Sequence, residues 1–147
     1  MHLFTLVATL AAFGLDPAPD QPRLAALIGE WQAGDGVLAH RLDVARNPEG
    51  EIVGRLQSAI DEPNRVRSWT ISAVAGELVL DLSFQDGRSV RYTTIPSFAN
   101  ELDFINLAER GIQRVSIVRD DDGDLLLRYF EADQSAGQIR FQRRPVP

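Results

Sequence analysis

The chain has 147 residues, of which 44% are hydrophobic and 24% are charged, and its net charge is −6. This length suits one domain with a substantial core, and the composition excludes a disordered chain. The negative charge disfavours a nucleic-acid-binding protein, which needs a basic face. The absence of cysteine excludes disulfides, thiolate metal sites and cysteine nucleophiles.

The N-terminus differs in character from the rest of the chain. Residues 3–13 form an uncharged apolar run, whose length suits a secretory signal and is short for a transmembrane helix. No Lys or Arg precedes the run, and the cleavage pattern is weak, with Ala18 as the nearest candidate. A retained apolar N-terminus is therefore the alternative. We predict a signal peptide and linker over residues 1–20, a domain over residues 21–147, and a periplasmic or secreted location.

Residues 27–31 (Leu-Ile-Gly-Glu-Trp) follow a short helical-looking segment, residues 21–27. Gly29 lets another part of the chain come close, and the indole of Trp31 can plug the end of a core. This stretch predicts a short helix and then a strand that enters under a closed sheet.

The remainder of the chain is typical of antiparallel strands. The clearest alternation of apolar and polar residues runs over residues 78–84. Further strands are predicted over residues 37–47, 51–60, 112–119, 124–131 and 139–143, with shorter ones around Trp69, Tyr92 and Phe104. About nine strands with regular turn signals indicate an all-β antiparallel sandwich or barrel. The lack of long helical patterns between strands disfavours a parallel βαβ fold.

The last predicted strand contains Phe141 and Arg143. In a closed barrel the last strand meets the first, and an Arg there can lie on the indole of Trp31 while it donates hydrogen bonds to carbonyls. A solvated basic tail is the alternative interpretation. We assign Gly29, Trp31, Phe141 and Arg143 to barrel closure.

His40 is the only histidine after the predicted signal, and it lies on an apolar strand face. The plain interpretation is a partly buried histidine bonded to a neighbouring carbonyl or hydroxyl. A polar anchor for a ligand is the alternative. A metal ligand or general base is disfavoured, since no partner His or Cys accompanies it.

Several aromatic residues can line a cavity, although such residues more often fill a core. Together with two polar side chains they make up the candidate ligand-binding set: His40, Trp69, Phe84, Tyr92, Phe104, Arg114 and Tyr129. The acidic residues 120–124 do not fit a calcium loop, because Leu125 occupies the position where glycine is needed. We read them as a hairpin turn, and we predict no metal site, no cofactor and no catalytic residue.

The order of a short helix, Gly-x-Trp, antiparallel hairpins and a terminal aromatic–Arg strand resembles the lipocalin and fatty-acid-binding superfamily. More closely, the chain is similar to a family of small exported lipocalin-like bacterial proteins of unknown function. The match rests on residues 27–31, 104–106 (Phe-Ile-Asn) and 113–115 (Gln-Arg-Val). The resemblance implies an up-and-down β-barrel over about residues 24–144. The His-Asp pair that this family carries between Asn106 and Arg114 is absent here.

A second resemblance is rejected. Residues 29–36 are similar to the opening of haem-binding nitrobindins, which use a late histidine as the iron ligand. No histidine follows His40, so the axial ligand is missing.

Three functional hypotheses follow. The favoured one is a module that binds a small hydrophobic or amphipathic molecule in the barrel. A filled barrel that acts as a structural or protein-interaction domain is the alternative. An enzyme of isomerase, hydrolase or cyclase type, using His40 or an inward carboxylate, is disfavoured. We expect a monomer or homodimer with no membrane span and no nucleic-acid partner.

Overall fold

A single antiparallel sheet curls round until its last strand pairs with its first. The computed structural model describes residues 21–34, 40–57, 65–132 and 136–144. The elements are α1 (Gln21–Ala25), β1 (Gly29–Ala33), β2 (His40–Arg46), β3 (Ile52–Gln57), β4 (Val66–Val74), β5 (Glu77–Phe84), β6 (Ser89–Ile95), β7 (Glu101–Ile105), β8 (Ile112–Arg119), β9 (Leu125–Glu131) and β10 (Ala136–Arg143). The predicted signal peptide and linker, residues 1–20, lie outside the described residues, as do the predicted strand ends at residues 37–39 and 58–60.

Each strand pairs antiparallel with its neighbours in sequence, and β1 pairs with β10 to close the barrel. Trp31 lies opposite Arg143 in that closing pair. The predicted all-β up-and-down barrel is confirmed, with ten strands in the described residues where about nine were expected. The predicted helix is also present, although it ends at Ala25.

The core follows from the period-two alternation of the strands. On β5, Leu78, Leu80 and Leu82 are buried on the inner face, whereas Asp81 and Ser83 remain partly exposed. The inner faces of all strands together bury one hydrophobic cluster, which includes both Trp residues.

The two ends of the barrel differ. At one end, which we call the closed end, α1 and the following turn bury Leu24 and Leu27 against the interior. The other end, which we call the open end, contains the starts of β2 and β8 and the end of β9. The β1–β2, β3–β4 and β9–β10 connections fall partly or wholly outside the described residues. Among the described residues, no helix is long and apolar enough to cross a bilayer.

Candidate functional site

A ring of inward-facing side chains surrounds the open end of the barrel. Their direction follows from the strand register, which places His40 opposite Ala33 and Leu56 opposite the inward Leu42. All are partly accessible to water, unlike the rest of the core. We call this set the open-end ring: Ala33, His40, Leu56, Val90, Ile112, Tyr129 and Ile139.

Directly beneath the open-end ring the interior is filled. The side chains two residues deeper on the same strands are at most 1% exposed: Trp31, Leu42, Tyr92, Leu127 and Phe141. The barrel therefore has a packed floor beneath a partly open layer of side chains. Gly137 lies opposite Tyr129, so β10 places no side chain directly opposite Tyr129.

Polar groups occur at one side of the open-end ring. The Arg65 Nη2 lies 3.4 Å from His40 Nδ1. Because a guanidinium can only donate, Nδ1 acts as the acceptor in this contact. Burial raises the pKa of Tyr129, and the nearby positive charge of Arg65 opposes that rise. The carbonyl of Arg65 accepts from the Gln85 amide at 2.8 Å, which ties the start of β4 to the β5–β6 turn.

A second concave region adjoins the ring through Ile112. It encloses about 440 Å³, and Phe84, Tyr92 and Glu109 contribute to its lining. The Tyr92 hydroxyl donates to the Ile112 carbonyl at 2.7 Å, and burial raises the pKa of Tyr92 to about 12. The hydroxyl is thus engaged with the backbone of the β8 start.

The remaining predicted aromatic residues lie elsewhere. Trp69 and Phe104 are fully buried in the core and do not belong to the open-end ring. The six-membered ring of the Trp69 indole lies directly against Gly54 on β3. Trp69 Nε1 is buried without a hydrogen-bond partner in the described part of the chain. Contact between either residue and a ligand stays a prediction.

Arg114 does not point into the barrel, contrary to the inward orientation expected from the sequence. The strand register shifts between Ile112 and Arg114, and such a β-bulge reverses the alternation that follows it. Ile112 therefore faces inward and Arg114 outward. The Arg114 guanidinium lies 3.3 Å from an Asp103 oxygen and over the Phe130 ring.

Asp103 belongs to a polar cluster on the outer face that the sequence did not reveal. Its side chain is only 2% exposed and accepts a hydrogen bond from the Ser116 hydroxyl. Burial opposes ionisation, but hydrogen bonds from Glu101 and Ser116 and the charge of Arg114 lower the pKa of Asp103. The same hydrogen bond to Asp103, together with burial, raises the pKa of Glu101. The alternation of inward and outward residues predicts that Asp103 faces outward. No pattern in the sequence predicts that Asp103 is also buried on that outer face.

Trp31 plugs the closed end, and two guanidinium groups lie over its ring. The indole is fully buried and its Nε1 donates to the Leu27 carbonyl at 2.9 Å. Arg143 and Arg119 lie over the ring, with 4.4 Å and 5.2 Å between guanidinium carbon and ring centre. Arg143 was expected here; Arg119, the last residue of β8, was not.

Gly29 makes room for this arrangement. Its φ is +145°, a conformation that favours glycine, and a Cβ at this position would clash with Arg143 Nη1. That nitrogen instead donates to the Ile28 carbonyl at 3.0 Å. Gly29, Trp31 and Arg143 therefore meet at the β1–β10 seam, and Phe141 is buried on the same last strand.

The acidic residues between β8 and β9 form a turn. One Asp120 oxygen accepts from the amides of Asp122 and Asp124, at 3.0 and 2.9 Å. The Arg140 guanidinium contacts both Asp120 and Asp124. Within the described ranges no group of three or more His, Cys, Asp or Glu side chains is arranged to hold a metal ion.

Comparison with known proteins adds no family to this description. The chain matches no family model, and no curated protein is significantly similar to it in sequence. What the structure establishes is a closed antiparallel β-barrel, consistent with a lipocalin-like fold.

Proposed function

We propose that this protein is an exported lipocalin-like binding protein that holds a small apolar or amphipathic molecule at the open end of its barrel. The observation that carries the proposal is the open-end ring, in which inward-facing apolar side chains stay partly accessible above a fully packed floor. Concave apolar surface with a few polar groups is the usual make-up of a small-molecule site. The apolar residues 3–13 and the resemblance to small exported lipocalin-like proteins support the location.

The chemistry of the ring suggests what the ligand looks like. Leu56, Val90 and Ile139 offer aliphatic surface, which favours an apolar ligand body. His40, Arg65 and the Tyr129 phenol are on one side and supply hydrogen-bond donors. A ligand with an apolar body and one oxygen-rich end therefore fits this ring better than a uniformly apolar one.

A neutral fluorescent probe tests the proposal. N-phenyl-1-naphthylamine brightens in apolar sites, and we expect saturable brightening with the wild-type protein. The Ile139→Trp variant fills the ring from β10 and should abolish it. The matched control is Gln138→Trp, which adds the same side chain to the exposed outer face of the same strand.

The outcomes separate the possibilities. The proposal predicts loss of probe binding in Ile139→Trp and normal binding in Gln138→Trp, with both variants folded by circular dichroism. Wild-type protein that never binds the probe, or Ile139→Trp protein that binds it normally, would overturn it. Native mass spectrometry of freshly purified protein then reports the mass of any ligand carried from the cell.

A protein-interaction domain is the second candidate, and two exposed side chains favour it. Phe98 and Leu107 are 77% and 72% exposed, the highest values among the large apolar side chains of the described residues. Phe98 lies between β6 and β7 and Leu107 between β7 and β8, so they lie at opposite ends of the barrel. A Phe98→Asp or Leu107→Asp variant that loses a reproducible partner while it still binds the probe would promote this function.

A further inference from the structure

The closed end carries a groove separate from the open-end ring. It lies between α1 and the β7–β8 pair and encloses about 350 Å³, at the low end of the roughly 300–1,000 Å³ usual for small-molecule pockets. Its walls are largely apolar, with Ala26, Leu27, Leu102 and Ile117 among the lining residues. Two cationic side chains, Arg23 and Arg119, also line it.

Arg119 is the unusual member of this groove. Its Nη1 donates to the Ala26 carbonyl, but its Nε is buried without a hydrogen-bond partner among the described residues. No carboxylate of the described residues lies within ion-pair distance of Arg119 or of Arg143, which shares the Trp31 ring with it. Asp120 and Asp124 are close in sequence, but both pair with Arg140 instead.

Two neighbouring guanidinium groups repel each other, and the negative charges of Asp120 and Asp124 offset this repulsion at Arg119 only in part. Burial and the charge of Arg143 lower the pKa of Arg119, which reflects the cost of keeping this cation there. An anion in the groove would reduce that cost and give the buried donor a partner. Glu101 is the carboxyl group among the lining residues, and its hydrogen bond with Asp103, together with burial, raises its pKa.

We propose that the closed-end groove binds a small amphipathic monoanion, with its charged group on Arg119 and its apolar part along Ala26, Leu27, Leu102 and Ile117. This site does not depend on the proposed function of the open end. The two are at opposite ends of the barrel and are separated by the packed floor that includes Trp31 and Phe141.

Octanoate is a suitable probe, because octanol and acetate separate the contributions of its charge and its chain. We expect octanoate to shift the backbone amide signals of Ala26, Leu27 and Asn100 saturably in a ¹⁵N–¹H titration of the full chain. Octanol and acetate should each bind at least about tenfold more weakly, since each lacks one half of the recognition. Equal binding of octanol and octanoate, or no saturable shift at these amides, overturns the proposal.

Variants then test the residues. Arg119→Gln should weaken octanoate binding about tenfold or more, whereas Arg119→Lys keeps the charge and should bind more tightly than Arg119→Gln. Because Arg119 contacts Trp31, a second variant, Ala26→Leu, fills the groove and leaves that contact in place. Undiminished binding by folded Ala26→Leu contradicts the proposal. The Ile139→Trp variant, blocked at the open end, should bind octanoate at the groove like wild type, so the two proposals fail independently.

Discussion

The guanidinium of Arg143 lies over the indole of Trp31, 4.4 Å from its centre, across the β1–β10 seam. The same guanidinium donates to the Ile28 carbonyl at 3.0 Å. One side chain of the last strand therefore covers the closed-end plug and bonds to the residue that precedes the first strand.

We expect Arg143→Ala to lower the free energy of unfolding by about 1–2 kcal/mol, since it removes the cation–π contact and at least one charged hydrogen bond. The midpoint and slope of urea denaturation measure this change. Arg67→Ala, which removes an exposed Arg from β4, is the matched control and should stay within about 0.5 kcal/mol of wild type. Equal losses in the two variants would show that the seam contact adds nothing specific.

A second prediction concerns Gly54, which packs directly against the Trp69 indole. A Cβ at Gly54 would clash with three ring atoms of Trp69. Gly54→Ala should therefore destabilise the barrel by about 1–3 kcal/mol, the usual cost of overpacking a core. Gly137→Ala is the control, because a Cβ there meets nothing within 4 Å.

The double variant Gly54→Ala, Trp69→Leu identifies the cause of that loss. Trp69→Leu removes the ring that the new methyl group would meet, so the added cost of Gly54→Ala should largely disappear in its background. If the two losses simply add, the strain at Gly54 does not come from the indole.

Much of the fold was predictable because it depends on local pattern. Alternation on β5 gives the direction of Leu78, Leu80 and Leu82, and the Gly29–Trp31 pair marks the start of the barrel. Arg143 was also predictable, since closure brings the last strand to the first. These features need only the sequence within an element and the rule that a closed sheet has no edges.

The site was less predictable, because it depends on events between elements. A bulge after Ile112 turns Arg114 from the inner to the outer face, and nothing in residues 112–114 announces it. Arg119 is the last residue of β8 and is far from Trp31 in sequence. Its contact with the Trp31 ring forms only when the barrel closes. Arg65 approaches His40 at the open end, and no strand pattern in the sequence predicts this contact.

The Glu101–Asp103 pair predicts a pH dependence of stability. The raised pKa of Glu101 means that this carboxyl group holds its proton more tightly in the folded chain than in the unfolded chain. The resulting contribution to folding stability is present below the ordinary pKa of 4.5 and is lost as the pH rises through the pKa of the folded state. The lowered pKa of Asp103 acts oppositely, since its contribution is present above the ordinary value of 3.8 and is lost as the pH falls.

Glu101→Gln should therefore gain stability relative to wild type as the pH rises from about 4.5 to 7, by up to about 1 kcal/mol at this partly exposed site. The amide keeps a donor for Asp103 but cannot ionise beside it. Thermal melts at several pH values measure the difference. Glu77→Gln, on the exposed face of β5, is the control. A wild-type-to-variant difference that is constant from pH 4 to 8 would contradict the shared hydrogen bond.

The last prediction uses the two tyrosines, Tyr92 and Tyr129, which are the only tyrosines in a chain that also lacks lysine. Burial raises the pKa of Tyr92 to about 12 and raises that of Tyr129 as well, from an ordinary value of 10.0. Neutral phenols therefore stabilise the folded chain below pH 10, and this contribution is lost as the pH rises toward the folded values.

Absorbance at 295 nm, which reports phenolate, should accordingly stay flat in the folded protein at pH 10 and rise only at higher pH, together with the loss of the near-ultraviolet circular dichroism of the core. The protein unfolded in guanidinium is the reference and should titrate near 10. Tyr92→Phe isolates Tyr129, so its titration tests the burial of the one phenol in the open-end ring. A phenolate signal with a midpoint near 10 in the folded variant would mean that water reaches this hydroxyl freely.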